Sequence, residues 1–333
     1  MKILIIHTVS RDEALFVGPV LRALKSELDA EVHLAVNTNI ATLFKNSPYI
    51  DGIHNSQTTL IKLRKELKKE GFDYIVDLQN SWKSKLVRIG MAKKYLVFKP
   101  KRFYKWFFIK TKINRLPKSH LIDQYFELLE DLNVKADSLG LDFFLDEKDV
   151  VETDWLPKSH QSGYAAIALS ASHYTKKLPI NRLIELCDRI NKPVILIGDE
   201  KDIDLANEIE TFFKRGTEEE EEAIEGLNKK TIIFNACGKF SFNQSASIIK
   251  NAQWVFTYDN LMMHVAAAFK KRLYTLWGSS TPFFGTYPYH TQFTVFENNG
   301  LRCRPCSGAG FTNCPKGHFK CMNDINFDFY LPD

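Results

Sequence analysis

The sequence predicts an α/β protein made of two doubly wound domains, and three observations carry that expectation. The chain has 333 residues, more than one hydrophobic core usually organises. Short apolar strands alternate with segments of helical spacing along most of its length. The alternation also stops and restarts around one polar stretch, "DEKDVVETDWLPKSHQSG", near 146–163.

In the first half, "KILIIHTV", "EVHLAVN" and "DYIVDLQ" read as strands, with the helical patterns "EALFVGPVLRALKSEL" and "TLIKLRKELKKEG" between them. Strand, helix, strand in series means a parallel sheet. The series breaks at 93–118, passes a helix in "HLIDQYFELLEDLNV", and reaches the polar junction, which sets the domains at 1–155 and 156–333. The second series runs "YAAIALSAS", "INRLIELCDRI", "PVILIGDE", "DIDLANEIETFFKR", "TIIFNACG", "FNQSASIIKNA", "WVFTYD" and "RLYTLWGS". It contains neither a G-x-G-x-x-G turn nor a Walker lysine loop.

The net charge of +5 conceals an uneven distribution. Residues 93–118 hold ten Lys or Arg and no acid, so the remainder is net negative. Lys101, Arg102, Lys105 and Lys110 are interleaved there with Tyr95, Phe98, Phe103, Tyr104, Trp106, Phe107 and Phe108. Such a stretch suits an anionic membrane surface, a phosphorylated glycolipid or nucleic acid; a solvated loop with a few core aromatics has the same composition. "EEEEEAIE" at 218–225 reads as a solvated helix face or loop.

No apolar run approaches 18 residues, and "MKILIIHTV" is too short and unflanked for a signal peptide. With six cysteines, the expected setting is a reducing one, the cytoplasm. Cys303, Cys306, Cys314 and Cys321, with His318 among them, make a C-x2-C-x7-C-x6-C cluster. It reads as a structural zinc site or as free thiols in a loop. Cys187 and Cys237 read as core residues.

The chemistry-bearing residues fall after strands. Lys176 follows "IALSAS", "GDEKD" at 198–202 follows "PVILI", Asp259 follows "WVFTY", and "GSSTP" at 278–282 follows "LYTLW". Doubly wound sheets bind ligands at their strand C-termini, and a lysine, hydroxyl turns and a helix start suit a nucleotide diphosphate. Read alone, Asp259 is equally a helix cap, His264 a core histidine, and Asp12 a cap for the helix that follows the first strand.

The blocks "RDEALFVGPVLRALK", "YIVDLQNSWKS", "KKLP", "LIGDEKD", "CGKFSFNQSASIIKNAQWVFTYDNLMMHVAAAF", "WGSSTP" and "CRPCSGAGFTNCPKGHFKCMNDI", in this order, resemble glycosyltransferase family 9. These are the ADP-heptose:lipopolysaccharide heptosyltransferases of Gram-negative bacteria. The resemblance implies a GT-B enzyme, two Rossmann-like domains facing a cleft. It would move a heptose from an ADP-heptose-type donor to a lipopolysaccharide-core acceptor with inversion, peripherally at the inner face of the cytoplasmic membrane. No metal would be required and no nucleic acid is expected.

Carried over by position, the resemblance makes Asp12 the catalytic base, with Glu13 next in line. Lys176 and the helix start at 260–264 would stabilise the leaving β-phosphate, and Asp202 would address the ribose. Asp259, Asn260, Leu261 and Met262 would lie at the diphosphate, with His264 orienting that loop or touching a phosphate. Lys101, Arg102, Lys105 and Lys110 would serve the acceptor and the membrane. The chain departs from the family pattern at Arg11, Asn260, Leu261 and Leu178. Leu261 holds a phosphate further off than glycine would. The other readings are a transferase for a different nucleotide sugar and glycolipid, and a catalytically silent basic protein binding nucleotides or nucleic acid.

Overall fold

The strands read from the first half pair side by side into a parallel sheet. They are β1 (Lys2–Ile6), β2 (Glu31–Val36), β3 (Gly52–Asn55), β4 (Phe72–Asp77) and β5 (Ala92–Val97), in the order β3-β2-β1-β4-β5. The computed structural model describes residues 1–7, 11–55, 59–218 and 230–331. Ile3, Leu4, Ile5 and Ile6 of β1 are all buried, because helices cover both faces of a parallel sheet and its inner strands become continuous apolar runs. The helices are α1 (Val17–Leu28), α2 (Thr38–Ala41), α3 (Leu60–Glu70), α4 (Trp82–Arg88), α5 (Arg102–Thr111) and α6 (Leu121–Leu129). α3 shows how the sequence delimits them. Thr59 accepts from the Lys62 N–H at its start, and Gly71 takes a left-handed φ of 67° just past its end.

The second sheet has six strands, β6 (Ala165–Ala168), β7 (Val194–Ile197), β8 (Ile233–Asn235), β9 (Trp254–Tyr258), β10 (Arg272–Trp277) and β11 (Phe293–Glu297), ordered β11-β10-β9-β6-β7-β8. Around it lie α7 (Ile180–Ile190), α8 (Ile203–Glu218), α9 (Phe242–Asn251), α10 (Leu261–Ala268) and α11 (Lys320–Asn323). The chain winds outward from β6 through β7 to β8, then returns to β9 beside β6 and winds the other way. The strand order therefore reverses between β6 and β9, the topological switch point at which such sheets bind ligands. In the first sheet the equivalent point lies between β1 and β4.

The chain divides into two units, Met1–Tyr104 with Leu116–Phe144, and Lys105–Arg115 with Leu145–Asp333. The division falls ahead of residue 155, and the basic stretch, read as an insertion of the first domain, is itself divided. The reason is packing along the second half of α5. Phe108 is buried with its ring 6.1 Å from that of Phe284, and the Lys112 ammonium donates to the Pro305 carbonyl at 2.7 Å. The acidic run at 218–225 lies, past Glu218, outside the described residues. Among the described residues no helix is long and apolar enough to cross a membrane.

His160 ties the lead-in of the second unit to β7, its Nε2 lying 3.1 Å from the Val194 carbonyl and its Nδ1 3.0 Å from Ser159 Oγ. Burial holds its pKa below the ordinary histidine value. The unfolded chain therefore takes up a proton near pH 6.5 that the folded chain resists, and stability present above that pH is lost as pH falls through it. The melting temperature is expected to drop between pH 7 and pH 5. His160→Gln, which has no proton to gain, should flatten that slope; an unchanged slope would remove His160 as its source.

Candidate active site

The switch point of the second sheet is where the predicted residues meet. After β6 the chain passes Ser170 and makes a single 3-10 turn, Tyr174–Lys176, which turns the lysine back over the strand ends. Lys176 is buried, and its Nζ lies 2.8 Å from Asp259 Oδ2 and donates to the Asp259 carbonyl at 2.9 Å. Ser280 Oγ donates to the same carboxylate oxygen at 2.9 Å. Asp259, just past β9, is thus the counter-ion of the buried lysine.

Asn260 caps α10 from an extended conformation. Its Oδ1 accepts from the Met263 N–H at 3.0 Å and from Thr257 Oγ1 at 3.1 Å, while its Nδ2 donates to the Ser170 carbonyl at 2.6 Å. A helix start leaves its first N–H groups without partners inside the helix, and those of Leu261 and Met262 belong to this end. Leu261 is buried at this helix start. His264 is buried one turn further in.

Asp202 lies deep at the ends of the strands. It is only 2% exposed. Its Oδ2 accepts from Ser170 Oγ at 2.6 Å and from the Asp199 N–H at 3.1 Å, and its Oδ1 meets the Lys177 ammonium at 2.6 Å. Gly198 must be glycine, since a Cβ there would lie 2.8 Å from Asp202 Cβ. Asp202 therefore knots the loop after β7 to the loop after β6.

In the first unit, Asp12 lies half-buried in the turn between β1 and a short 3-10 turn, Ala14–Phe16. Glu13 stands at the cap position of that turn and Phe16 at that of α1, and neither makes a side-chain cap bond there. At the end of β4 the fully buried Asp77 accepts from the N–H groups of Gln79 and Asn80 at 3.0 and 2.8 Å and pairs with Arg88. Lys101, Arg102 and Lys110 are exposed, as are Phe103, Tyr104 and Trp106. Arg102 also donates to the Gln79 carbonyl at 3.2 Å. Lys105 is different, lying 4.4 Å over the Phe284 ring.

The sequence model of glycosyltransferase family 9 (heptosyltransferase) matches residues 60–315. The chain belongs to glycosyltransferase family 9. Solved structures agree on the fold. An ADP-heptose lipopolysaccharide heptosyltransferase II of E. coli is 19% identical over 97% of this chain and 98% of its own, with a TM-score of 0.66. A family 9 glycosyltransferase from Veillonella parvula is 17% identical over 88% and 85%, at 0.64. An E. coli heptosyltransferase solved with ADP is 16% identical over 89% and 93%, at 0.62. None of the curated protein sequences compared with the chain matches it. This family 9 protein is thus a glycosyltransferase with the GT-B fold.

Reading by sequence passed over two residues that brace this cluster, Ser170 and Thr175. Ser170 joins Asp202, Asp199 and Asn260, and Thr175 Oγ1 donates to Ser279 Oγ at 3.0 Å. Ser279 falls in the "GSSTP" turn the sequence points to, whereas Ser170 and Thr175 look like any loop residues after a strand. The cysteine block also differs from a four-thiolate site. Cys303 Sγ lies 3.8 Å from His318 Nε2, whereas Cys321 packs into the apolar core, where burial pushes its thiol up to about 12. Burial raises the Cys306 thiol too. Among the described residues, no three of these side chains bring ligand atoms within 4.8 Å of one another; the group that does is Glu31, His33 and Glu70, in the first unit. No step is assigned to a metal there. Cys187 and Cys237 are buried, as expected.

Proposed function

We propose that this glycosyltransferase moves a heptose from an ADP-heptose-type donor, held by the second unit, to an anionic lipopolysaccharide-core-type acceptor, taken by the first. The observation that carries the reading is the buried Lys176 ammonium, fixed by Asp259 beside the capped start of α10 at the switch point. The fold relative solved with ADP supports the nucleotide. In the proposed reaction an acceptor hydroxyl attacks the anomeric carbon from the side opposite the leaving group. The bond to the β-phosphate oxygen breaks, Asp12 takes the hydroxyl proton, and configuration inverts. Lys176 and the α10 N–H groups hold the charge that builds on the departing diphosphate.

Titration of the whole protein with ADP, UDP and GDP by calorimetry tests the donor. Binding confined to ADP is expected. Leu261, where the family has glycine, favours one other reading, a donor of different shape, and tighter UDP or GDP binding would establish it.

For the acceptor we propose a surface of exposed aromatics and cations formed by Lys101 and the exposed residues of α5, Lys110 included, acting peripherally at the inner face of the cytoplasmic membrane of a Gram-negative bacterium. Each lysine near an anionic surface contributes about 1 kcal/mol, screened by salt, and aromatics add a part that resists salt. Changing Lys101, Arg102 and Lys110 to Ser, with Lys105 left on Phe284, should weaken sedimentation with anionic vesicles at low salt and raise the acceptor KM. ADP affinity should not move. Parent-like vesicle binding and KM would make the stretch a solvated surface.

A further inference from the structure

We infer that Arg304 is a positioning residue for Lys176, acting through the hydroxyl turn after β10; the inference rests on the reading of the second unit as the donor site. Arg304 sits in the Cys-Arg-Pro-Cys run at 303–306, yet its side chain is 5% exposed. Its Nε donates to the Gly278 carbonyl at 2.6 Å, one terminal nitrogen to Asn298 at 2.9 Å, and the other to the carbonyls of Trp277 at 3.1 Å and Ser280 at 2.9 Å. That second nitrogen also meets Glu297 Oε2 at 2.8 Å. Strand ends expose carbonyls that have left the ladder, and a planar guanidinium with five N–H donors is the side chain that can gather several at once. Its charge is balanced by Glu297, itself nearly buried, so Arg304 acts by shape and not as a cation toward the ligand.

The gathered turn is bonded to the lysine's own loop. Gly278 has no space for a Cβ, which would meet the Thr175 carbonyl at 2.4 Å. The Ser279 N–H donates to that carbonyl at 3.2 Å, and Thr175 directly precedes Lys176. Cys306 and Ser307 add N–H bonds to the Ser279 carbonyl at 3.1 and 3.2 Å. One residue on, Ser280 Oγ reaches the same Asp259 oxygen that Lys176 reaches. Arg304 is thus three bonded steps from the lysine, with Ser280 and Asp259 between them, and a second route runs from Gly278 along the chain to the Ser279 N–H and on to Thr175. The cysteine-rich block acquires a role that needs no metal: it carries the arginine that shapes the donor turn.

Arg304→Lys in the full-length chain tests this. A lysine keeps the charge but cannot reach four carbonyls from one nitrogen. ADP affinity is expected to fall about tenfold, a usual coupling within one bonded network, with AMP changed by less than about twofold and the melting transition still cooperative. In a Lys176→Ala background the same change should cost ADP nothing further. Equal losses of ADP and AMP, or an undiminished loss without Lys176, would show a merely structural arginine and overturn the inference. If Arg304→Lys does not fold, Glu297→Gln, which keeps the arginine and removes its counter-ion, carries the same ADP-against-AMP comparison. The parent is titrated first. If it binds no nucleoside diphosphate, the donor reading itself falls, whereas a parent that binds ADP beside variants that bind it equally well sinks only the claim about Arg304.

Discussion

Asp12→Asn is expected to lower turnover by about 10²-fold or more while leaving ADP affinity nearly intact, because general-base assistance has that typical worth. Asparagine matches the carboxylate in shape and cannot take a proton, so folding and donor binding should survive. The placement supports the choice. Asp12 follows β1, the strand at the switch point of the first sheet. A carboxylate needed only in the transition state predicts that kcat and kcat/KM fall together with KM steady. Parent turnover in the variant would remove Asp12 from the mechanism and turn attention to Glu13.

Much of this was legible because parallel sheets write themselves plainly. Continuous apolar runs such as "ILII" and "VILI" can only be inner strands once helical patterns separate them, and the order of the runs gives the winding. Residues just after those runs, Lys176, Asp259 and Asn260, are legible for the same reason: the strand brings them to one edge. What was not legible is direction. The letters place Asp259 at the site but cannot say that its carboxylate turns to Lys176, since that depends on a loop eighty residues upstream. The same holds for Asp202, whose oxygens face Ser170 and Lys177. Lys105 and Lys110 look alike in a basic stretch. Only the fold lays one across Phe284 and exposes the other. Arg304 was hidden by its neighbours, because two flanking cysteines suggest metal chemistry and draw attention from the arginine between them.

Lys176→Ala should weaken ADP binding by roughly 1.5–3 kcal/mol, the worth of a hydrogen bond to a charged group, and should barely change binding of AMP or adenosine. The contrast follows from position. The ammonium is fixed by Asp259 beside the start of α10, where a β-phosphate is proposed, and ligands lacking that phosphate lose nothing when it goes. A second cost accompanies the first, since the substitution leaves the Asp259 carboxylate, 13% exposed, without its cation, and a stranded charge destabilises. Asp259→Asn in the same chain separates the two. The double variant should recover thermal stability lost by Lys176→Ala but not its ADP affinity, because the amide needs no counter-ion and supplies no positive charge. Arginine should not rescue either, as its flat fork replaces a point charge seated between one carbonyl and one carboxylate oxygen. A uniform loss across ADP, AMP and adenosine would place the lysine away from the β-phosphate, and recovery of ADP affinity in the double variant would mean that repulsion from the bare Asp259, not loss of the ammonium, had weakened binding.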